Sequence, residues 1–269
     1  MYIFKQNKLA LKTLLNMTVA IHQPNFLPWI GYFYKIWASD IFILHDNVEY
    51  TKHSFTKRVF IRKYPTELEH DYLIVPLKKH SDFALISDLK ICHEQNWQQK
   101  QINKLYYVYH KAPFFKDYFP TIEQTILSSY QATHLVDFNR QLILDILSLL
   151  DIERTIVLSS EIPVRGFQAD EYNAELVAYY GADLYISGTG AKKYQFTTTY
   201  SERGISLIYN EIGNYLKNIP PQYPIQFDRS LSILDALFYL GTEGILDIFA
   251  SYQNTFLKKK ELESLVLAY

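Results

Sequence analysis

The first dense apolar run of interest is Val19-Ala20-Ile21, closed by His22-Gln23-Pro24. A short apolar run bounded by polar and proline residues predicts a buried strand. From about Trp29 to Ala38 the chain is apolar at helical length, and Ile41 to Leu44, set between Ser39-Asp40 and His45-Asp46, predicts a second buried strand. Strand, helix and strand within about thirty residues is the size of a βαβ unit with parallel strands. Three further stretches, Phe55 to Ile61, Tyr72 to Leu77 and Ala84 to Ile91, lack helical spacing. They predict strands, either in the same sheet or as an antiparallel insertion.

The middle of the chain changes period. "NWQQKQINKLYYVYHKA" places Trp97, Ile102, Leu105, Tyr106 and Tyr109 near helical spacing and ends before Pro113; a second helix is expected after Pro120, through Ile126 and Leu127. His134 to Leu150 predicts a third, with Leu135, Phe138, Leu142, Ile146 and Leu149 in one stripe that belongs to a core. Alternation then resumes: a strand at Thr155 to Leu158, a helix at Asp170 to Tyr180 capped by Gly181, a strand at Leu184 to Ile186 and another at Ile205 to Tyr209. After the proline-rich "NIPPQYPIQF", a last helix begins near Ser232 and runs past Gly241 and Gly244. Strands alternating with helices predict an α/β class. We expect a Rossmann-like, mostly parallel sheet flanked by helices, with the helical segment at about 95–150 forming a lid or second lobe. The expected division is an N-terminal extension at 1–18 and one domain over 19–269.

Composition narrows the function classes. Of 269 residues, 27 are Lys or Arg and 28 Asp or Glu, so the chain lacks the basic excess of a general nucleic-acid binder, although a local basic pocket stays open. The single cysteine, Cys92, excludes an intrachain disulfide and a cysteine-based zinc site. No window has the roughly 18 consecutive apolar residues of a membrane span. "MYIFKQNKLALKTLLN" interleaves lysines with a weak apolar pattern, unlike a secretory signal, so a short extension before Met17 and a cytoplasmic location are expected. The 23 Tyr and 17 Phe fit either a tyrosine-rich core and surface or rings that line a sugar or nucleotide pocket.

Three stretches carry candidate chemistry. His22-Gln23-Pro24 falls at the carboxyl end of the first strand and leads into a helix, the place where open parallel sheets bind ligands and helix N-termini favour anions. Pro24 fixes the turn, and Gly31 permits close backbone approach. An imidazole there can stabilise a phosphate or oxyanion or act as acid and base; the alternative is that His22 caps the loop and Trp29 fills core. In "LHDNVEYTKHSFTKR", His45 and Asp46 end the second strand and Lys52, Lys57 and Arg58 follow. Period two sends Arg58 to the face opposite Lys57. The group suits phosphate or carboxylate recognition, or else is a solvated charge run. "SGTGAKKY", from Ser187 to Tyr194, fits an anion nest but is neither a Walker A loop nor G-x-G-x-x-G. Histidine spacing argues against a metal site, and the absence of G-x-S-x-G argues against a serine hydrolase.

The run "VAIHQPNFLPWIGYFYKIWASDIFILHDNVEYTKHSF" closely resembles the opening of the WbqC-like family, and the likeness continues at "LIVPLKKH", "NWQQK", "YHKAPFF", "GADLYISGTGAKKY" and "LSILDALFYLG". The resemblance implies a bacterial cytoplasmic protein of O-antigen (lipopolysaccharide) or other surface-polysaccharide biosynthesis. It points to a transferase that moves an acyl or aminoacyl group onto a nucleotide-linked or lipid-linked amino sugar. It leaves the cofactor unknown, and as partner it implies a small-molecule or nucleotide-sugar substrate. By residue match it carries over His22, Gln23, Pro24, Trp29, Gly31, Asp46, Tyr50, Lys52, Ser54 and Phe55, then Lys111, Pro113, Ser187, Gly188, Gly190, Lys192 and Tyr194. The expected roles are His22 as acid/base or oxyanion partner, Asp46 orienting it or a substrate hydroxyl, and Lys52 with Lys192 binding an anion. Arg58 joins the expected substrate contacts.

Two positions depart from the family pattern. A Thr-x-Arg-Leu segment is replaced by Ala169-Asp170-Glu171-Tyr172-Asn173, and an asparagine after Arg58 by Val59. Two other readings remain. One is a nucleotidyltransferase-like enzyme that binds a nucleoside triphosphate, by topological likeness alone. The other is a non-catalytic scaffold of a polysaccharide pathway.

Overall fold

The computed structural model describes residues 17–65, 69–218 and 231–266, with side chains described to 255. The expected N-terminal extension before Met17 and most of the proline-rich segment lie outside the described residues. The chain runs β1 (Thr18–His22), α1 (Ile30–Ala38), β2 (Ile41–Leu44), then β3 (Arg58–Arg62) and β4 (His70–Ile74). Three helices follow, α2 (Trp97–Tyr109), α3 (Phe115–Ser128) and α4 (Leu135–Leu149). The alternating half comprises β5 (Thr155–Leu158), α5 (Ala169–Tyr179), β6 (Leu184–Gly188), α6 (Thr197–Ser201), β7 (Ser206–Asn210), α7 (Ile212–Tyr215) and α8 (Ile233–Val266).

Five strands form one sheet in the order β5-β2-β1-β6-β7, and every pairing in it is parallel. The sheet is therefore α/β with helices on both faces, as the alternation of apolar runs predicts. Because successive strand residues face opposite sides, the strands split cleanly between two cores. Ala20, Phe42, Leu44 and Ile186 join α1–α4 and α8 on one side. Val19, Ile21, Ile43 and Tyr185 join α5 and Tyr200 on the other. Burial on both faces is why these strands read as continuous apolar runs rather than alternating ones.

β3 and β4 form a separate antiparallel pair outside the main sheet. The hairpin is tied to α8 by a salt bridge, Arg62 Nε to Asp235 Oδ1 at 2.6 Å, with both side chains about 95% or more buried. The stretch Ala84 to Ile91 is not a strand. Its amides and carbonyls are shared among several segments: Ile86 N donates to Val48 O, Ser87 N to Asp46 O, and Leu89 O accepts from Leu135 N. No single partner is left to form a ladder, and Ile86–Asp88 closes into a 3-10 turn. Pro120 sits inside α3 rather than before it. That close to the helix start its missing amide removes one hydrogen bond, and Phe115, Phe119 and Ile122 anchor the helix by burial. Gly241 interrupts α8 with φ of 66°. A side chain there would meet the Phe114 ring at 3.2 Å, so glycine is required by both backbone and packing. Among the described residues no helix is long and apolar enough to cross a membrane.

Candidate functional site

Strand order reverses direction at β1. From it the chain proceeds to β2 and β5 on one side, and β6 and β7 lie on the other. Connections leave β1 and β6 in opposite directions, which opens a crevice outside their carboxyl ends. The ladder pairs Ala20 with Ile186, so two residues on His22 lies level with Gly188 at this crevice. A side chain added at Gly188 or Gly190 would meet nothing within 4 Å, so the β6 side of the crevice is open.

The loop from Gln23 to Trp29 forms the β1 side, and its carbonyls are taken up one by one. Gln23 O accepts from Tyr32 Oη at 3.1 Å, Pro24 O from Asn139 Nδ2 at 2.8 Å, Leu27 O from Ser232 Oγ at 2.8 Å, and Pro28 O from Ile233 N at 2.9 Å. Phe26 N donates to Phe55 O at 3.0 Å, and Asn139 Nδ2 also reaches Thr56 O at 2.8 Å, joining this loop to the Ser54–Thr56 segment. Leu27 is fully buried and adopts φ of 42°, a conformation that costs a leucine about 1–2 kcal/mol. The surrounding bonds and burial offset it. At the start of α1 the Trp29 indole lies over Gly31, where a Cβ would come within 2.2 Å of the ring, and Asn210 at the end of β7 donates to Gly31 O at 2.8 Å.

His22 packs edge-on to the Tyr32 ring, with centroids 4.8 Å apart. Its Nδ1 lies 3.3 Å from Gln23 O. A carbonyl can only accept, so Nδ1 carries the hydrogen and Nε2 presents a lone pair. Burial, then the charge of Lys35, push the imidazole down to about 3, so it is neutral near pH 7. Lys35 is 1% exposed; its Nζ donates to Ile21 O at 2.8 Å and lies 5.9 Å from the Phe42 ring centre. Burial brings the Lys35 amine down to about 7. His45 N donates to His22 O at 2.8 Å. Its own ring, 9% exposed, packs against Tyr172, leaves Nε2 without a hydrogen bond among the described residues, and is pushed by burial down to about 4.

Other residues singled out from the sequence have commitments elsewhere. The Asp46 carboxylate accepts from Ser160 N at 2.9 Å, Ser160 Oγ at 2.6 Å and Ser159 Oγ at 2.9 Å, all on the turn after β5, the side of β2 away from β1. Arg58 donates to His53 O at 2.9 Å and stacks on Tyr72. Tyr50 is buried with its ring against His80 and its hydroxyl without a partner among the described residues. Ser54 Oγ donates to Thr56 Oγ1 at 3.1 Å, whereas Lys52 is exposed on the same loop. Lys111 is exposed on the turn between α2 and α3. Lys192 pairs with Glu211 at 2.5 Å and sits 5.0 Å over the Tyr209 ring, and Tyr194 is exposed.

Ser187 belongs to a directional chain. Asp170 accepts from the Tyr200 hydroxyl, Tyr200 Oη accepts from Gln195 Nε2 at 3.0 Å, and Gln195 Oε1 therefore accepts from Ser187 Oγ at 2.8 Å. Asp170, one of the residues that depart from the family pattern, thus fixes the hydroxyl direction of Ser187. Alternation sends Ser187 toward the α5 face and His22 toward the α1 face. The strand ends accordingly bring His22 level with Gly188, Gln23 follows in the loop, Trp29 and Gly31 sit at the start of α1, and among the described residues no bond draws Lys52 or Lys111 to them. Among the described residues no group of three or more His, Cys, Asp or Glu side chains is arranged to hold a metal ion.

Lys35, Tyr32, Asn139 and Asn210 escaped the sequence reading. For Lys35 a signal existed: one charge in "IGYFYKIWA", a helix apolar nearly all round. A lysine inside such a helix must be buried or break its packing. For Asn139 the signal was its place on the apolar stripe of α4, four residues after Leu135 and three before Leu142.

The sequence pattern of the WbqC-like protein family matches residues 23–246. The chain is also similar to the uncharacterized protein Rv1507c of Mycobacterium tuberculosis, 28% identical over 226 residues that cover 84% of this chain and 95% of that protein. No solved structure matches the chain.

Proposed function

The chain belongs to the WbqC-like protein family, and from that premise we propose that it is a cytoplasmic transferase of bacterial surface-glycan (O-antigen-type) biosynthesis. It moves an acyl or aminoacyl group onto the amine of a nucleotide-linked or lipid-linked amino sugar. The observation that carries this reading is the placement of His22, its Nδ1 turned to Gln23 O, level with the open backbone of Gly188 at the carboxyl ends of β1 and β6.

The amine of the acceptor sugar attacks the acyl carbonyl carbon, so the C–N bond forms and the bond to the donor's leaving group breaks. After attack the nitrogen is positively charged and more acidic than the free amine, and its proton passes to Nε2 of His22, whose low resting proton affinity rises beside the newly formed oxyanion. His22 then passes that proton to the departing group. A neutral His22 whose Nδ1–H is committed to Gln23 O offers an acceptor, which favours the proton-acceptor role over that of an oxyanion donor. Gln23, Trp29 and Gly31 shape the β1 wall, and Lys192, exposed on the turn after Gly190, exchanges its partner Glu211 for a phosphate of the carrier.

The test is a thermal-shift and mass-spectrometric assay with nucleotide-linked amino sugars and acyl or aminoacyl donors. A raised Tm and an acylated sugar that disappear in H22A support the reading. No shift and no product with any donor–acceptor pair would sink it. Pyrophosphate release from a nucleoside triphosphate would replace it with nucleotidyl transfer, and unchanged cellular glycan in H22A would favour a scaffold.

A further inference from the structure

We propose that Tyr194 and Phe196 form a stacking subsite for a nucleobase, which makes the carrier of the acceptor sugar a nucleoside diphosphate. The proposal rests on the reading of a carrier phosphate at Lys192 and decides between a nucleotide and a lipid.

The two rings are 62% and 68% exposed, so packing does not account for them. Between them Gln195 is 9% exposed, and the chain therefore turns one side chain inward and two outward. Two residues of chain span at most about 7 Å, so one flat ligand is within reach of both rings. Phe196 escaped the sequence reading because an aromatic in a Lys- and Thr-rich stretch carries no pattern of its own.

The backbone that bears the rings is fixed from the protein side. Phe196 N donates to Asp170 Oδ2 at 2.8 Å. Gln195 is held at both ends of its amide, Nε2 donating to Tyr200 Oη at 3.0 Å and Oε1 accepting from Ser187 Oγ at 2.8 Å. Tyr194 N and Gln195 N both donate to Ala191 O at 3.1 Å, which ties the segment to the turn that carries Gly190. Rings displayed on a fixed backbone lose less freedom on binding than rings on a mobile loop.

Charge then selects the ligand. Lys192 and Lys193 are exposed immediately before Tyr194, and the backbone at Gly188 and Gly190 is open. The Asp170 carboxylate bonded to this segment is committed, one oxygen to Tyr200 Oη and the other to Phe196 N. A flat apolar face beside negative charge is what a nucleobase and its phosphates present. A lipid carrier brings phosphate without a flat face, and a sugar ring needs hydrogen-bond partners for its hydroxyls that phenylalanine lacks.

The experiment is calorimetric titration of the full chain with uridine and adenosine diphosphates, inorganic pyrophosphate and glucosamine 1-phosphate. We expect Phe196→Ala and Tyr194→Ala each to weaken a nucleoside diphosphate about tenfold, with pyrophosphate affinity and Tm unchanged, and Phe196→Trp to restore binding. A wild type that binds no nucleoside diphosphate, variants that bind it as well as the wild type, or an equal loss for pyrophosphate would each overturn the proposal. So would a larger loss for glucosamine 1-phosphate, which would make the rings a sugar platform. The two readings fail separately. Base-dependent loss in Phe196→Ala without transfer from any donor keeps the subsite and removes the transferase reading, whereas transfer onto lipid-linked sugar alone does the reverse.

Discussion

Ser160 grips both oxygens of Asp46, its amide donating to Oδ1 at 2.9 Å and its hydroxyl to Oδ2 at 2.6 Å. The carboxylate is 1% exposed and closes the carboxyl end of β2 onto the turn that follows β5. Removing it strands buried donors. Asp46→Ala should cost about 2–4 kcal/mol, and Ser160→Ala about 1 kcal/mol because Ser159 and the Ser160 amide remain. Urea denaturation measures both. A far smaller loss in Asp46→Ala would show that this clasp contributes little, and a full loss of transfer in a stable Asp46→Asn would return Asp46 to the chemistry.

Gly31 leaves no room for a methyl group beneath the Trp29 indole. Gly31→Ala must displace the ring, which is partly exposed and able to swing outward, so the expected stability loss is about 1–3 kcal/mol. The stronger expectation concerns binding. Tryptophan fluorescence should shift to longer wavelength, and ligand affinity at the crevice should fall by more than stability does. An unchanged emission spectrum would mean that the loop absorbs the methyl group by moving its backbone.

Stability should depend on pH in two separate windows. His22 and His45 are lowered from 6.5 to about 3 and about 4, so the unfolded chain binds protons that the folded chain refuses. Their contribution is complete above pH 6.5 and is lost as pH falls through that window toward 3. Lys35 is lowered from 10.5 to about 7, so stability gains as pH rises from 7 toward 10.5. Tm against pH in the wild type, His45→Gln and Lys35→Met checks this. His45→Gln should flatten the acid slope and Lys35→Met the alkaline rise. Parallel curves in all three would refute the assignment.

Much of the fold was legible because local patterns and the global sheet agree. Val19–Ile21 and Ile41–Leu44 read as buried strands, and they pair in parallel within one sheet. Where the reading failed, the cause lay at a distance. Ala84–Ile91 has the composition of a strand, yet its backbone bonds go to several segments brought together by α4 and the β2 end. Pro120 read as a helix start because its ring forbids one bond, but tertiary burial of Phe115 and Phe119 extends the helix past it.

The candidate site divides in the same way. The sequence by itself determined that His22 and Ser187 end strands, that glycines follow the second of these, and that the chain carries one family's motifs. Which side chains face one another was decided only by the tertiary structure. Strand order set β6, distant in sequence, directly against β1. Alternation along those strands turned His22 and Ser187 to opposite faces. Burial drew the Lys35 amine to Ile21 O and committed Asp46 to Ser159 and Ser160. A strand's residues can be read from neighbours in sequence; the charge state and hydrogen bonds of its last residue depend on desolvation and on partners that only folding supplies.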